Sequence, residues 1–248
     1  MATLTDKLTH CTELKEKLDT FRPLQSDIVK QLKADMQVRF TYNSNAIEGN
    51  TLTIYETKAV LEDGITISGK SMNEHLEAIN HKEALNFLEE LVQQDEELTE
   101  RTIRDIHAII LQGIDRDNAG TYRTKNVIIS GANHTPPEAL QVPPAMGNFI
   151  AAYATWKDMH PVERAARVHA EFVNIHPFID GNGRTSRLLM NLELMKAGYP
   201  PLIIPVEGRA TYYANLDTVA IDGDYAPFLE QLADLCITSF DVYWRLLQ

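Results

Sequence analysis

The twelve residues from His176 to Arg187 read His-Pro-Phe-Ile-Asp-Gly-Asn-Gly-Arg-Thr-Ser-Arg. A base, an acid, a glycine-flanked turn and two arginines fall within one short stretch. Pro177 biases His176 away from helical geometry, so His176 should end the helix before it. Gly181 and Gly183 let the backbone turn tightly and approach a ligand closely. From Asn182 onward the spacing of Leu188, Leu189, Leu192 and Met195 is helical. A helix start preceded by glycines presents free N–H groups and the positive end of the dipole, which suits a phosphate. Arg184 and Arg187 lie three apart on that first turn and can share a face to grip phosphate oxygens. Asp180 can hold a hard cation such as Mg²⁺ bridging phosphates. His176 is then a base beside a bound polyphosphate.

Further toward the N-terminus, Ser44-Asn45-Ala46-Ile47-Glu48-Gly49 places a carboxylate in a polar turn. Ser44 suits an N-cap and Gly49 a C′ position, which predicts a one-turn helix between them. Taken alone this reads as a surface turn.

The His176–Arg187 stretch resembles the signature of the Fic family, His-Pro-Phe-x-(Asp/Glu)-Gly-Asn-Gly-Arg-x-x-Arg, and meets every specified position. Ser44-x-x-x-Glu48-Gly49 is similar to the inhibitory motif, (Ser/Thr)-x-x-x-Glu-(Gly/Asn), that some members carry ahead of the core. The resemblance implies transfer of AMP from ATP to a hydroxyl side chain of a target protein. It makes His176 the general base and Asp180 the ligand of Mg²⁺, with Mn²⁺ an alternative. Gly181, Asn182, Gly183, Arg184 and Arg187 become the phosphate-binding residues, with the Asn182 side chain on the α-phosphate. Glu48 would pair with Arg187 where the γ-phosphate needs to sit. Doc-type kinases of the family carry lysine in place of the glycine at 183, so Gly183 favours nucleotidyl transfer. The family also places a Tyr-Tyr segment near the nucleotide base, here Tyr212 and Tyr213, with Asn215 available to an adenine edge. By composition, the two tyrosines are ordinary core aromatics.

The elements that must position these residues are mainly helical. Leucines and isoleucines recur on both sides of Pro23, predicting two helices. Thr53 with Glu56 and Ser71 with Glu74 form capping boxes for two more, the first ending near Gly64 and the second near Gln93. A further helix starts at Leu98-Thr99 and carries His107 near its apolar face as a core histidine. Between 119 and 145 the helical period stops. Val127, Ile128 and Ile129 predict an extended segment, Gly131 to Pro137 a turn, and Pro143-Pro144 the end of a β-hairpin flap. The resemblance gives that flap a role in docking the target. Pro161 suits a helix N1 position, and another helix starts at Arg209–Asn215. A last one runs from Phe228 to about Leu247. The expected fold is all-α, a Fic-type core with a small β-hairpin flap. It comprises an N-terminal region over 1–50 with the inhibitory motif, and a core over 51–248.

The sequence has 248 residues and a formal net charge of −12. Such a surface repels nucleic acid, so no general DNA or RNA binding is expected. Cys11 and Cys236 have no metal or redox spacing, which suggests a reducing compartment. No apolar run reaches membrane-spanning length, and no charged-then-apolar leader opens the sequence. These features predict a cytoplasmic protein without a membrane partner. Homodimerisation and self-modification are consistent with the family. Two alternatives use the same residues: hydrolysis of AMP from a modified protein, with Glu48 orienting water, and a catalytically quiet nucleotide- or partner-binding module. No His-Glu-x-x-His or adjacent His-Asp pair supports a metallohydrolase.

Overall fold

The computed structural model describes residues 2–129 and 132–247. Among them the chain forms eleven α-helices and no strand. Two helices flank Pro23, α1 (Leu4–Asp19) and α2 (Ser26–Ile47). Capping boxes at Thr53/Glu56 and Ser71/Glu74 start α3 (Ile54–Lys58) and α4 (Met72–Gln93). A π turn continues α3 to Asp63, and Gly64 stops it in the left-handed region. Thr99 caps α5 (Glu100–Ile110).

Proline sets the next two starts. Pro143 and Pro144 lie in the first turn of α6 (Val142–Tyr153), and Pro161 opens α7 (Pro161–Ile175). The proline pair therefore begins a helix instead of closing a hairpin, because the first helical turn needs no N–H donors there. After α8 (Asn182–Lys196) come α9 (Arg209–Asp222), α10 (Ala226–Ser239) and α11 (Asp241–Leu247). The expected single C-terminal helix is thus two, broken at the buried Phe240. No helix among the described residues is long and apolar enough to cross a membrane.

The central pair is α7 and α8. Arg164 near the start of α7 meets Glu193 near the end of α8 at 2.7 Å, and His169 meets Ser186 at 3.1 Å, so the pair is antiparallel. One apolar cluster, from α4, α5 and α6, closes on Phe172, Leu188 and Leu192. A second, from α1, α9 and α10, closes on Ala166, Ala170, Met190 and Leu194. Covered on both sides, α8 buries polar side chains as well as apolar ones, and each of those needs a partner.

The expected β-hairpin is absent among the described residues. Gly131, placed in its turn, lies outside them. The polar groups of this segment bond to neighbouring elements instead of forming a ladder. The Arg123 N–H donates to the Pro177 carbonyl (2.9 Å), the Ala139 N–H to Asn126 Oδ1 (2.8 Å), and the Asn133 N–H to the Asp217 carboxylate (3.0 Å). The result is an irregular strap across one side of the α7–α8 loop.

Candidate active site

The loop between α7 and α8 begins at His176, whose left-handed backbone (φ 49°, ψ 58°) ends α7. Phe178 is fully buried and anchors the loop in the core. Asn182 closes it: its Oδ1 accepts from the Phe178 N–H (3.0 Å) and its Nδ2 donates to the Phe178 carbonyl (2.9 Å). The side chain predicted to hold a phosphate therefore staples the loop, and Asn182 offers its backbone. Gly181, at φ +77°, is the N-cap of α8, and no side chain caps that helix. The first N–H groups of α8 are thus left for an incoming anion.

A cavity of about 340 Å³ lies against this helix start. His176, Asp180, Gly181, Asn182, Gly183, Arg187, Tyr212, Tyr213 and Glu48 all line it. The strap contributes Ile128, Ile129, Ala132 and His134 at its mouth.

Burial first, and the Arg123 guanidinium second, lower the His176 pKa to about 4, against the upward pull of Glu48 and Asp180. At neutral pH the ring is an unprotonated imidazole able to accept a proton. Arg123 also fixes the backbone here. Its Nε donates to the His176 carbonyl (2.8 Å), its Nη1 to the Lys125 carbonyl (3.1 Å), and its Nη2 to the Pro137 carbonyl. One side chain thereby joins the base to both ends of the strap.

Arg187 is buried and paired. Its Nη2 donates to Glu48 Oε1 (2.8 Å) and to the Ser44 carbonyl (2.8 Å), and its Nε donates to Ser44 Oγ (3.0 Å). Glu48 and Tyr212 hold its pKa above the ordinary value although burial opposes the charge. Ser44 is not an N-cap. It lies inside α2, which runs on to Ile47 because the Thr41 and Ser44 hydroxyls bond to His81 and Arg187. Glu48 is the C-cap of α2, and Gly49 follows at φ +102°. The freed carbonyl of the last turn is what Arg187 takes. The Glu48 carboxylate lies so close over Gly183 that a Cβ there would be 2.1 Å from Oε1. Glu48 therefore occupies the space directly above the helix start.

Two further predicted residues, Arg184 and Asn215, lie away from the cavity, and Tyr212 and Tyr213 line it. Arg184 does not share the face of Arg187: it is buried between Glu77 and Asp180, each at 3.2 Å, away from the cavity lining. Asn215 also lies outside that lining, its amide donating to Gln231 Oε1 (2.9 Å). Tyr212 lines the cavity through a ring that is almost wholly buried. Its hydroxyl lies between Arg187 Nη1 (3.5 Å) and His169 Nε2 (2.8 Å). Tyr213 lines it beside Arg209, whose guanidinium sits 5.4 Å from the ring centre.

No group of three or more acidic, His or Cys side chains gathers for a metal among the described residues. Asp180 is the exposed carboxylate at the helix start, its Oδ1 accepting from the Gly181 N–H (2.6 Å). That fits Mg²⁺, which one carboxylate can hold when phosphates and water complete its octahedron. His107 is the core histidine that its place on an apolar face suggests, but its partner Asp180, like the partners of Arg123 and His169, lies far along the chain and is not readable from local spacing.

The profile of the Fic/DOC family matches residues 97–194. A protein named Protein adenylyltransferase Fic from Drosophila ananassae is 37% identical over 240 residues, an alignment covering 92% of this chain and 47% of that relative. The chain thus spans about half the length of the curated relatives it matches. Among solved structures, Fic-1 (residues 134–508) of C. elegans superposes with a TM-score of 0.86 at 34% identity, covering 98% of this chain and 72% of that one. A Fic domain-containing signaling protein from Bacteroides thetaiotaomicron gives 0.84 at 30% identity, covering 93% and 94%. With a complete signature folded around a single cavity and agreement of this extent, the chain belongs to the Fic/DOC family.

Proposed function

We propose that this chain transfers AMP from ATP to a hydroxyl side chain of a target protein. The observation that carries the reading is the convergence of His176, the uncapped start of α8 and Arg187 on one cavity. The name shared by the Drosophila relatives supports it.

The α-phosphate sits on the backbone N–H groups at Gly181–Gly183, that of Gly181 exchanging its bond to Asp180 Oδ1 for one to the phosphate, and these groups stabilise charge developing on its oxygens. Arg187, once free of Glu48, holds the outer phosphates. Arg184 acts behind Asp180 and steadies its carboxylate. Asp180 would hold Mg²⁺ or Mn²⁺, which offsets phosphate charge when bound. The target hydroxyl enters past the strap at Ile128 and His134. Its oxygen attacks the α-phosphorus, His176 accepts its proton, and pyrophosphate leaves. Tyr212 and Tyr213 form the wall available to the nucleoside.

Incubation of candidate proteins and of the chain alone with ATP, Mg²⁺ and the Glu48→Gly variant tests this by mass spectrometry. The expected product carries one AMP on a Ser, Thr or Tyr and is absent with Glu48→Gly/His176→Ala. A modification by phosphate alone would contradict the reading. Removing a general base costs about 10²–10⁴-fold.

Glu48 lines the same cavity as His176 and its side chain is one-third exposed (33%), which favours one second reading. In that reading the carboxylate orients water for hydrolysis of AMP from a modified protein. Glu48→Gly would then abolish removal of AMP while raising transfer.

A further inference from the structure

The cavity-facing loop rests on a histidine that no part of the chemistry above uses. His107, on α5, is fully buried. Its ring stacks on Phe178 with centres 3.5 Å apart and planes 1° from parallel. The Gly120 N–H donates to its Nδ1 at 2.9 Å. With Nδ1 an acceptor, the proton of the neutral ring is on Nε2, which faces the Asp180 carbonyl at 2.8 Å. Gly181 packs on the same ring: a Cβ there would lie 3.1 Å from Nε2 and 3.2 Å from Cδ2.

The consequence follows from peptide geometry. In a trans peptide the C=O and the next N–H point in opposite directions. Holding the Asp180 carbonyl down on His107 turns the Gly181 N–H away from the core, to the cavity side, where it donates to Asp180 Oδ1 (2.6 Å) and where a phosphate oxygen would take over that bond. It also fixes the main chain from which the Asp180 carboxylate projects. Through Gly120, the same ring is tied to the turn just before Tyr122 and Arg123, where the strap begins.

We propose that His107 is a positioning residue that aims the 180–181 peptide at the bound nucleotide, its Nε2–H being the atom that matters. This rests on the reading of the α8 start as the phosphate seat. The nucleotide is held by a loop whose direction is set from below, by an imidazole that never touches it. The role needs a donor at the Nε2 position. A filler of the same shape does not supply one.

The test uses the full chain in the Glu48→Gly background, with His107→Gln, His107→Asn and His107→Phe. Glutamine keeps a donor near the Nε2 position, asparagine keeps an acceptor near Nδ1, and phenylalanine keeps only the stack. ATP·Mg²⁺ affinity by calorimetry, KM and kcat for AMP transfer, and thermal midpoints are measured for each. Misplacement of a binding group by about 1 Å can cost on the order of 100-fold. His107→Phe and His107→Asn are therefore expected to weaken ATP binding and raise KM by about 10-fold or more. His107→Gln should recover most of that loss although its thermal midpoint falls as far as that of His107→Asn. ¹⁵N NMR of the parent should show Nε2 protonated and Nδ1 bare.

Equal affinities in the glutamine and asparagine variants, losses that track only the thermal midpoint, or a proton on Nδ1 would overturn the proposal. A parent that binds ATP without transferring AMP overturns the transfer reading alone, and the binding series still decides His107. A parent that binds no ATP overturns both.

Discussion

His176 meets the cavity as a neutral base because burial and Arg123 both disfavour its protonated form. A free histidine would begin to lose this capacity below a pH of about 6.5. Here the acid limb of kcat/KM for transfer should fall near pH 4 instead. Arg123→Gln removes a positive charge, so the His176 pKa and the acid limb should both move up toward 6.5. A pH–rate profile of the two proteins in the Glu48→Gly background checks this, and an unmoved limb would exclude Arg123 as a tuner of the base. Loss of Glu48 removes an upward pull and leaves the limb at or below its starting place. That His176, Asp180, Gly181, Gly183 and Arg187 share one cavity was legible in the sequence because it follows from their local spacing. Asn182, Arg184 and Asn215 were less so. An amide or guanidinium goes to whichever partner the fold brings near, here Phe178, Glu77 and Gln231.

The start of α8 and the end of α2 meet over Gly183, and this junction is where element geometry becomes function. The α8 start requires Gly181 at φ +77° against the His107 ring. Gly181→Ala should cost about 1–3 kcal/mol of stability from backbone strain and weaken ATP binding even without Glu48. Calorimetry of nucleotide binding and a denaturation curve measure the two effects separately. The helices opened by Thr53/Glu56 and Ser71/Glu74 were readable because a capping box is a local event. The strap was not, because β-branched residues at 127–129 suggest a strand only if another strand lies beside them. Their segment is held instead by Arg123, Asn126 and Asp217. Ser44 misled for a similar reason: its hydroxyl is a cap by type, but Arg187 claims it within an unbroken helix.

Over the whole molecule, four histidines stay neutral at the junctions of the helices, His81, His107 and His169 fully buried and His176 half-buried. Burial is the first cause in each. It lowers His81 to about 3, His107 and His176 to about 4, and His169 well below its ordinary value. The unfolded chain binds protons at these groups below a pH of about 6.5, while the folded chain does not until the pH is well below that. Stability is therefore full above 6.5 and falls as pH drops through that window, by about 1.4 kcal/mol per pH unit for each histidine. Urea denaturation at pH 7 and pH 5 should show the loss, and equal midpoints would contradict the assigned burial. The same packing that keeps these rings neutral brings α2 against α8 and sets Glu48 on Arg187. On the proposed function, this one contact holds an otherwise complete AMP-transfer site shut. Its most direct test is the initial rate at which label from α-labelled ATP reaches protein, in wild type and in Glu48→Gly at the same Mg²⁺ concentration. The rate should be at least about 10-fold higher in Glu48→Gly, the size expected when a charged hydrogen bond that competes with the nucleotide is removed. Equal rates, or a lower rate without Glu48, would contradict it.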